Sequence, residues 1–181
     1  KALKGQGIAQ LRTITSTLSE ELGASNLEAL LVRYTSPGLV IKNTQDARYY
    51  VLHERLRKAA LKNGLQAPLE LVFLDPASNE IQVIVTSEEK PRFREPWSGD
   101  QGRLNAAFGK AGTMESGQGE KRELLAFEPV IDANGKVLGM IVARSPLGSY
   151  AAASSGALLR NISIALLLFG VAGFLLFRYV G

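Results

Sequence analysis

From residue 7 to residue 22 apolar side chains recur at intervals of three and four, Ile8, Leu11, Ile14, Leu18 and Leu22, with threonine and serine between them. That spacing lines one stripe of a helix and predicts an amphipathic α-helix. Gly23 offers it a C-terminal cap. Ser25-Asn26-Leu27-Glu28 has the capping-box pattern of a second helix, carrying Leu27, Leu30, Leu31 and Tyr34 and ended by Pro37-Gly38. A further helix is predicted over residues 44–63, capped by Asn43 or Thr44 and stopped by Gly64. It turns Tyr49, Leu52, Leu56, Ala59 and Ala60 inward and a face rich in arginine and lysine outward. The period then changes. Residues 69–74 and 81–85 are short apolar runs around Asp75-Pro76-Ala77-Ser78-Asn79, and residues 123–131 and 136–144 flank Asp132-Ala133-Asn134-Gly135, so two β-hairpins are expected. Between them, residues 88–119 are polar and rich in glycine, proline and arginine, with only residues 104–108 suggesting a short helix. A connection of that length in a compact domain is usually functional or disordered, which makes it the place to seek a ligand site.

One run stands apart. Residues 161–177, NISIALLLFGVAGFLLF, carry no charge, and as a helix rising about 1.5 Å per residue they span roughly 25 Å, enough for a bilayer core. Arg160, Arg178 and Tyr179 flank the run and can reach the interfaces by snorkelling. The chain is therefore read as a domain over residues 1–150, with N-terminal helices in 1–36, then a juxtamembrane linker at 151–160. A transmembrane helix at 161–178 and the start of a cytoplasmic region at 179–181 complete it. A first residue that is lysine fits removal of a signal peptide or of a preceding membrane helix. Of 21 basic residues two bracket the apolar run, leaving nineteen against 17 acidic ones, with no basic stripe and no interleaved aromatics. Nucleic-acid binding is accordingly not expected. The absence of cysteine excludes disulfides, cysteine nucleophiles and thiolate metal sites.

Long helices, a hairpin, a loop-rich middle, a second hairpin and then a membrane helix predict an α+β domain with an antiparallel sheet. Within the second hairpin, Asp132 and Asn134 suit hydrogen bonds to turn backbone, Gly135 suits positive φ, and Gly139 suits a close backbone approach or a bulge. The run Pro129-Val130-Ile131-Asp132-Ala133-Asn134-Gly135-Lys136-Val137-Leu138-Gly139 resembles the closing hairpin of Cache-type, PAS-like sensor domains, in which Pro129, Asp132, Gly135, Lys136 and Gly139 fall in matching places. The resemblance covers nearly the whole order of elements. It implies a single extracytoplasmic sensor module, residues 1–160 outside the inner membrane, that relays ligand occupancy through its membrane helix to a kinase, cyclase, diguanylate cyclase or chemotaxis output. The sequence does not match the Tyr/Arg/Trp/Asp amino-acid-binding pattern of double-Cache receptors.

No constellation for catalysis emerges. His53, the sole histidine, is read as lying at the surface or packing at a helix edge, and the adjacent pairs Glu20-Glu21 and Glu88-Glu89 as solvated charges. No phosphate loop, nucleophile elbow or zinc pattern occurs, so neither an enzyme nor a cofactor is expected. One cluster in the long connection is different: Arg92-Phe93-Arg94-Glu95-Pro96-Trp97 holds two arginines beside the only tryptophan. Guanidinium forks suit carboxylate or phosphate groups and an aromatic wall suits a small ligand, so Arg92, Arg94 and Trp97, with Tyr49 or Tyr50 from the facing helix, form the candidate pocket for a small anionic metabolite. The expected partners are the membrane, that metabolite, and a second copy of the chain through the N-terminal and membrane helices. The alternative is a non-catalytic subunit of an envelope assembly that uses the same fold to dock a protein.

Overall fold

The computed structural model describes residues 2–36, 46–119 and 122–148. The juxtamembrane linker and the apolar run at 161–177 lie outside the described residues. Among the described residues, no helix is long and apolar enough to cross a membrane.

Three helices come first: α1 over Ala2–Glu21, α2 over Ala24–Arg33 and α3 over Ala47–Lys62. The stripe in α1 is used for packing, with Leu11, Ile14, Leu18 and Leu22 all buried. Two caps differ from the sequence reading. The N-terminus of α2 is capped by Gly23 at φ +70°, and no side chain bonds its first amides. Only Leu22 and Gly23 separate α1 from α2, a residue tolerant of positive φ takes the cap position, and Ser25 falls inside the helix. Helix α3 starts at Ala47 on an Asp46 cap, whose carboxylate accepts from the Arg48 amide at 2.8 Å. Asp46 also accepts from the Tyr34 hydroxyl at 2.9 Å, tying α3 to the end of α2.

Six strands form one sheet: β1 Glu70–Leu74, β2 Ile81–Thr86, β3 Glu95–Pro96, β4 Gly112–Ser116, β5 Glu123–Ile131 and β6 Val137–Pro146. Their spatial order is β3-β2-β1-β6-β5-β4, with every neighbouring pair antiparallel. Both expected hairpins are present. Besides a short helix, α4 at Gln101–Ala106, the long connection holds the two edge strands β3 and β4, which the sequence does not predict. Strands of two and five residues at sheet edges carry little alternation for a sequence reading to detect. Asp132 Oδ1 accepts from the Asn134 and Lys136 amides at 2.8 Å each, and Gly135 has φ +82°. Gly139 is a close approach as expected: a Cβ there would lie 2.6 Å from the Val72 carbonyl oxygen of the neighbouring strand.

The sheet separates two cores. On one face α1, α2 and α3 pack Leu11, Leu30, Leu52 and Leu56 against Leu71, Ile84, Ala126 and Ile141. On the other face the long connection folds back, bringing Trp97 and Leu104 onto Val72, Val83, Phe127, Met140 and Val142.

Candidate functional site

Strand periodicity aims Glu70, Val72, Met140, Val142 and Arg144 at the face that the long connection covers. Glu70 and Arg144 are charged residues in otherwise apolar strands, and burial obliges each to find a partner. Glu70 is fully buried. Its Oε2 accepts from Arg144 Nη2 at 2.9 Å and from the Trp97 indole N–H at 2.9 Å, while its Oε1 accepts from Arg92 Nη1 at 3.2 Å. The Arg144 guanidinium carbon lies 5.8 Å from the centre of the Trp97 ring, and its Nε is buried without a hydrogen-bond partner. One carboxylate thus joins β1, β6 and the connecting segment. Burial pushes the Glu70 carboxyl above its ordinary range, and the Arg144 charge, the Trp97 bond and the Arg92 charge offset this only in part.

Arg92 has further partners: Nε donates to Glu95 at 2.9 Å, Nη2 to the Pro96 carbonyl at 3.2 Å, and Glu88 lies 3.9 Å from Nη1. Its main chain is held from the other side by Tyr49, whose hydroxyl donates to the Arg92 carbonyl at 2.8 Å and accepts from the Arg92 amide at 3.0 Å. Desolvation around that hydroxyl drives its pKa far upward, so Tyr49 stays a neutral clamp.

The five residues read from the sequence are therefore divided. Arg92 and Trp97 converge on Glu70, and Tyr49 positions the first of them through its backbone. Arg94 turns away: in a left-handed conformation at φ 52°, its guanidinium donates to the Tyr34 and Leu31 carbonyls at 2.7 and 3.2 Å and covers the Phe73 ring at 5.3 Å. There it terminates α2, and desolvation lowers its pKa. Tyr50 packs edge-on against Tyr49 with centroids 5.5 Å apart. His53, expected at a helix edge, is buried, and its Nδ1 lies 2.7 Å from the Thr86 carbonyl oxygen. Helix α3 leans on β2 closely enough to cover that ring.

Glu70 and Arg144 were missed by the sequence reading. The available sign was a charge at an inward position of a strand that is otherwise apolar on both sides of it. Trp97 fills the middle of this face, and a Cβ on Gly99 would sit 2.1 Å from the indole, so the connection closes over the ring only with glycine there.

Solved domains of three bacterial proteins align with the chain. The E. coli DcuS sensor domain aligns over 84% of this chain and 97% of its own length, with a TM-score of 0.56 and 17% identity. The sensor domain of the V. cholerae histidine kinase DctB aligns over 82% of this chain and 58% of its own at a TM-score of 0.44 and 18% identity. The periplasmic domain of Chlamydia trachomatis RsbU aligns over 84% and 56% at 0.37 and 14% identity. The last two scores are too low to bear on the fold assignment. No protein-family model matches the sequence, and no curated protein aligns with it significantly. The described residues thus share the fold of the DcuS sensor domain, an antiparallel sheet with N-terminal helices, in keeping with the resemblance to Cache-type, PAS-like domains.

Proposed function

We propose that this chain is the extracytoplasmic sensing domain of a transmembrane signalling receptor, anchored in the inner membrane by residues 161–178 and without catalytic activity of its own. The observation that carries the reading is the Glu70 cluster. It fastens the segment that covers the sheet to Arg144, two residues from the end of β6, the strand that leads out toward the apolar run. Any ligand that competes for Arg92, Arg144 or Trp97 alters the tether between cover and exit strand. Such a change moves an equilibrium only by the difference in affinity between the two arrangements. Two guanidinium groups and an indole N–H suit a small anionic metabolite, with Arg92 and Trp97 retained from the sequence reading and Arg144 added to them. A homodimer through the N-terminal and membrane helices supplies the second half of the relay.

The full chain in detergent, screened by thermal shift against small carboxylates, tests this. A carboxylate that raises the midpoint in the wild type and does nothing in Arg144→Gln supports the reading. Protease accessibility of residues 1–160 only from the cytoplasmic side refutes it. A second reading, a protein-docking subunit, is favoured by one observation: Trp97, Phe127 and Met140 fill the covered face with the chain's own side chains. No response to any carboxylate, with capture of a second envelope protein at that face, would select it.

A further inference from the structure

All three groups that bond the Glu70 carboxylate are donors and nothing else. Arginine and the indole N–H have no accepting atom. Two oxygens offer about four lone-pair sites and receive three donated hydrogens, so a proton finds room only at Oε1, which holds a single donor. Protonation removes the negative charge that holds the two guanidinium groups, so the weakest of the three contacts gives way. The contacts are not equivalent. Oε2 holds both Arg144 and Trp97 at 2.9 Å, whereas Oε1 holds only Arg92, at 3.2 Å. Arg92 also has other acceptors within reach, Glu95 at 2.9 Å, Glu88 at 3.9 Å and the Pro96 carbonyl at 3.2 Å.

The ionisable groups on every side of Glu70 fit this reading. Arg144 faces it from β6. Arg92 faces it from the connection, with Glu88 and Glu95 behind. From α3, Tyr49 grips the Arg92 backbone, and His53 bonds the Thr86 carbonyl of β2. Asp46 and Asp75 bond elsewhere, to Arg48 and Tyr34 and to Ala77 and Ser78.

We propose that Glu70 is a proton-binding site: one proton taken up at Oε1 expels Arg92 toward Glu88 and Glu95 and loosens the segment covering Trp97, while Arg144 stays on Oε2. Resting on the sensing reading, this names acidity outside the membrane as an input to the same cluster. Burial favours the neutral carboxyl, so uptake falls at milder acidity than for an ordinary glutamate. The sign for the fold follows. A carboxyl with a raised pKa penalises the folded state while ionised, and the penalty is relieved as pH falls through the raised value, so the domain rearranges locally instead of unfolding.

Trp97 is the only tryptophan and bonds Glu70 directly, so its emission reports the event. The experiment is a fluorescence titration of the full chain in detergent over the folded pH range, with circular dichroism as the check on folding. The wild type is expected to show a single-proton transition, and Glu70→Gln to show the acid-form emission throughout with no transition. Arg92→Met, which removes one opposing charge and leaves the carboxyl, is expected to move the midpoint upward by roughly one pH unit, a tenfold gain in proton affinity. It keeps the test decisive if Glu70→Gln does not fold. A flat wild-type curve overturns the proposal. So does a transition that survives in Glu70→Gln, or an unmoved midpoint in Arg92→Met. Each of these three results leaves the sensing reading intact, and cytoplasmic sidedness would refute that reading while leaving the titration in place.

Discussion

The two faces of the sheet are covered by different means. The helical face is sealed by leucines on α1, α2 and α3 that meet an apolar sheet surface, and its stability comes from area removed from water. The opposite face is closed by one connection, pinned by Trp97, a short helix and a buried carboxylate with three donors. Apolar contact is graded and indifferent to pH. An ionic tether is directional, depends on one protonation state, and can be exchanged for another ion. The proposed sensing role uses both, a scaffold that persists and a cover that can change partners.

The largest expected effect separates these two kinds of closure. Glu70→Leu leaves Arg92 and Arg144 without their shared anion and is expected to cost about 3–5 kcal/mol in urea unfolding. Restoring apolar balance by adding Arg92→Met and Arg144→Met should recover most of that loss, since a buried ion cluster is often no better than a packed apolar one. On the helical face Leu52→Ala is expected to cost about 2–5 kcal/mol, with the same loss at pH 5 and pH 8, because only a cavity is made. Gly139→Ala acts on the sheet that both faces share. Its methyl meets the Val72 carbonyl at 2.6 Å, which forces β1 and β6 apart at a cost of about 1–3 kcal/mol.

The smallest effect is the cap of α3. Asp46→Ala should cost about 1 kcal/mol at neutral pH. Burial presses the Asp46 carboxyl upward, but the Arg48 amide, the Tyr34 hydroxyl and the nearby Arg48 and Arg33 charges outweigh it and hold the pKa low. A depressed carboxyl contributes stability above its unfolded value and loses it as pH falls through the folded one. The difference between wild type and Asp46→Ala should therefore vanish in acid, whereas acid relieves the penalty at Glu70. Chemical unfolding at several pH values measures both signs.

The helical face was legible because amphipathic spacing is a long signal. Leu11, Leu18, Leu52 and Leu56 are buried where the period places them, and both hairpins stand where turn residues interrupt apolar runs. The covered face was half legible. A segment rich in arginine and glycine with the sole tryptophan pointed to the connection that closes this face, and Arg92 and Trp97 do meet. Their meeting point is Glu70, distant in sequence, and pairing across β1 and β6 decides it. Arg94 went astray because the left-handed turn at that residue sends alternate side chains to different faces. Linear spacing contains no trace of such a turn.

Native-state hydrogen exchange in low denaturant tests the division between the faces most directly. The Arg94 amide donates to the Val83 carbonyl at 2.7 Å and the Trp97 amide to the Ile81 carbonyl at 2.9 Å, so both report on the cover, whereas Ile14 and Leu18 report on α1. The account predicts that Arg94 and Trp97 exchange through a small opening that costs less than global unfolding and responds weakly to denaturant, while Ile14 and Leu18 exchange only when the whole domain unfolds. A single shared free energy and denaturant dependence for all four amides would contradict it.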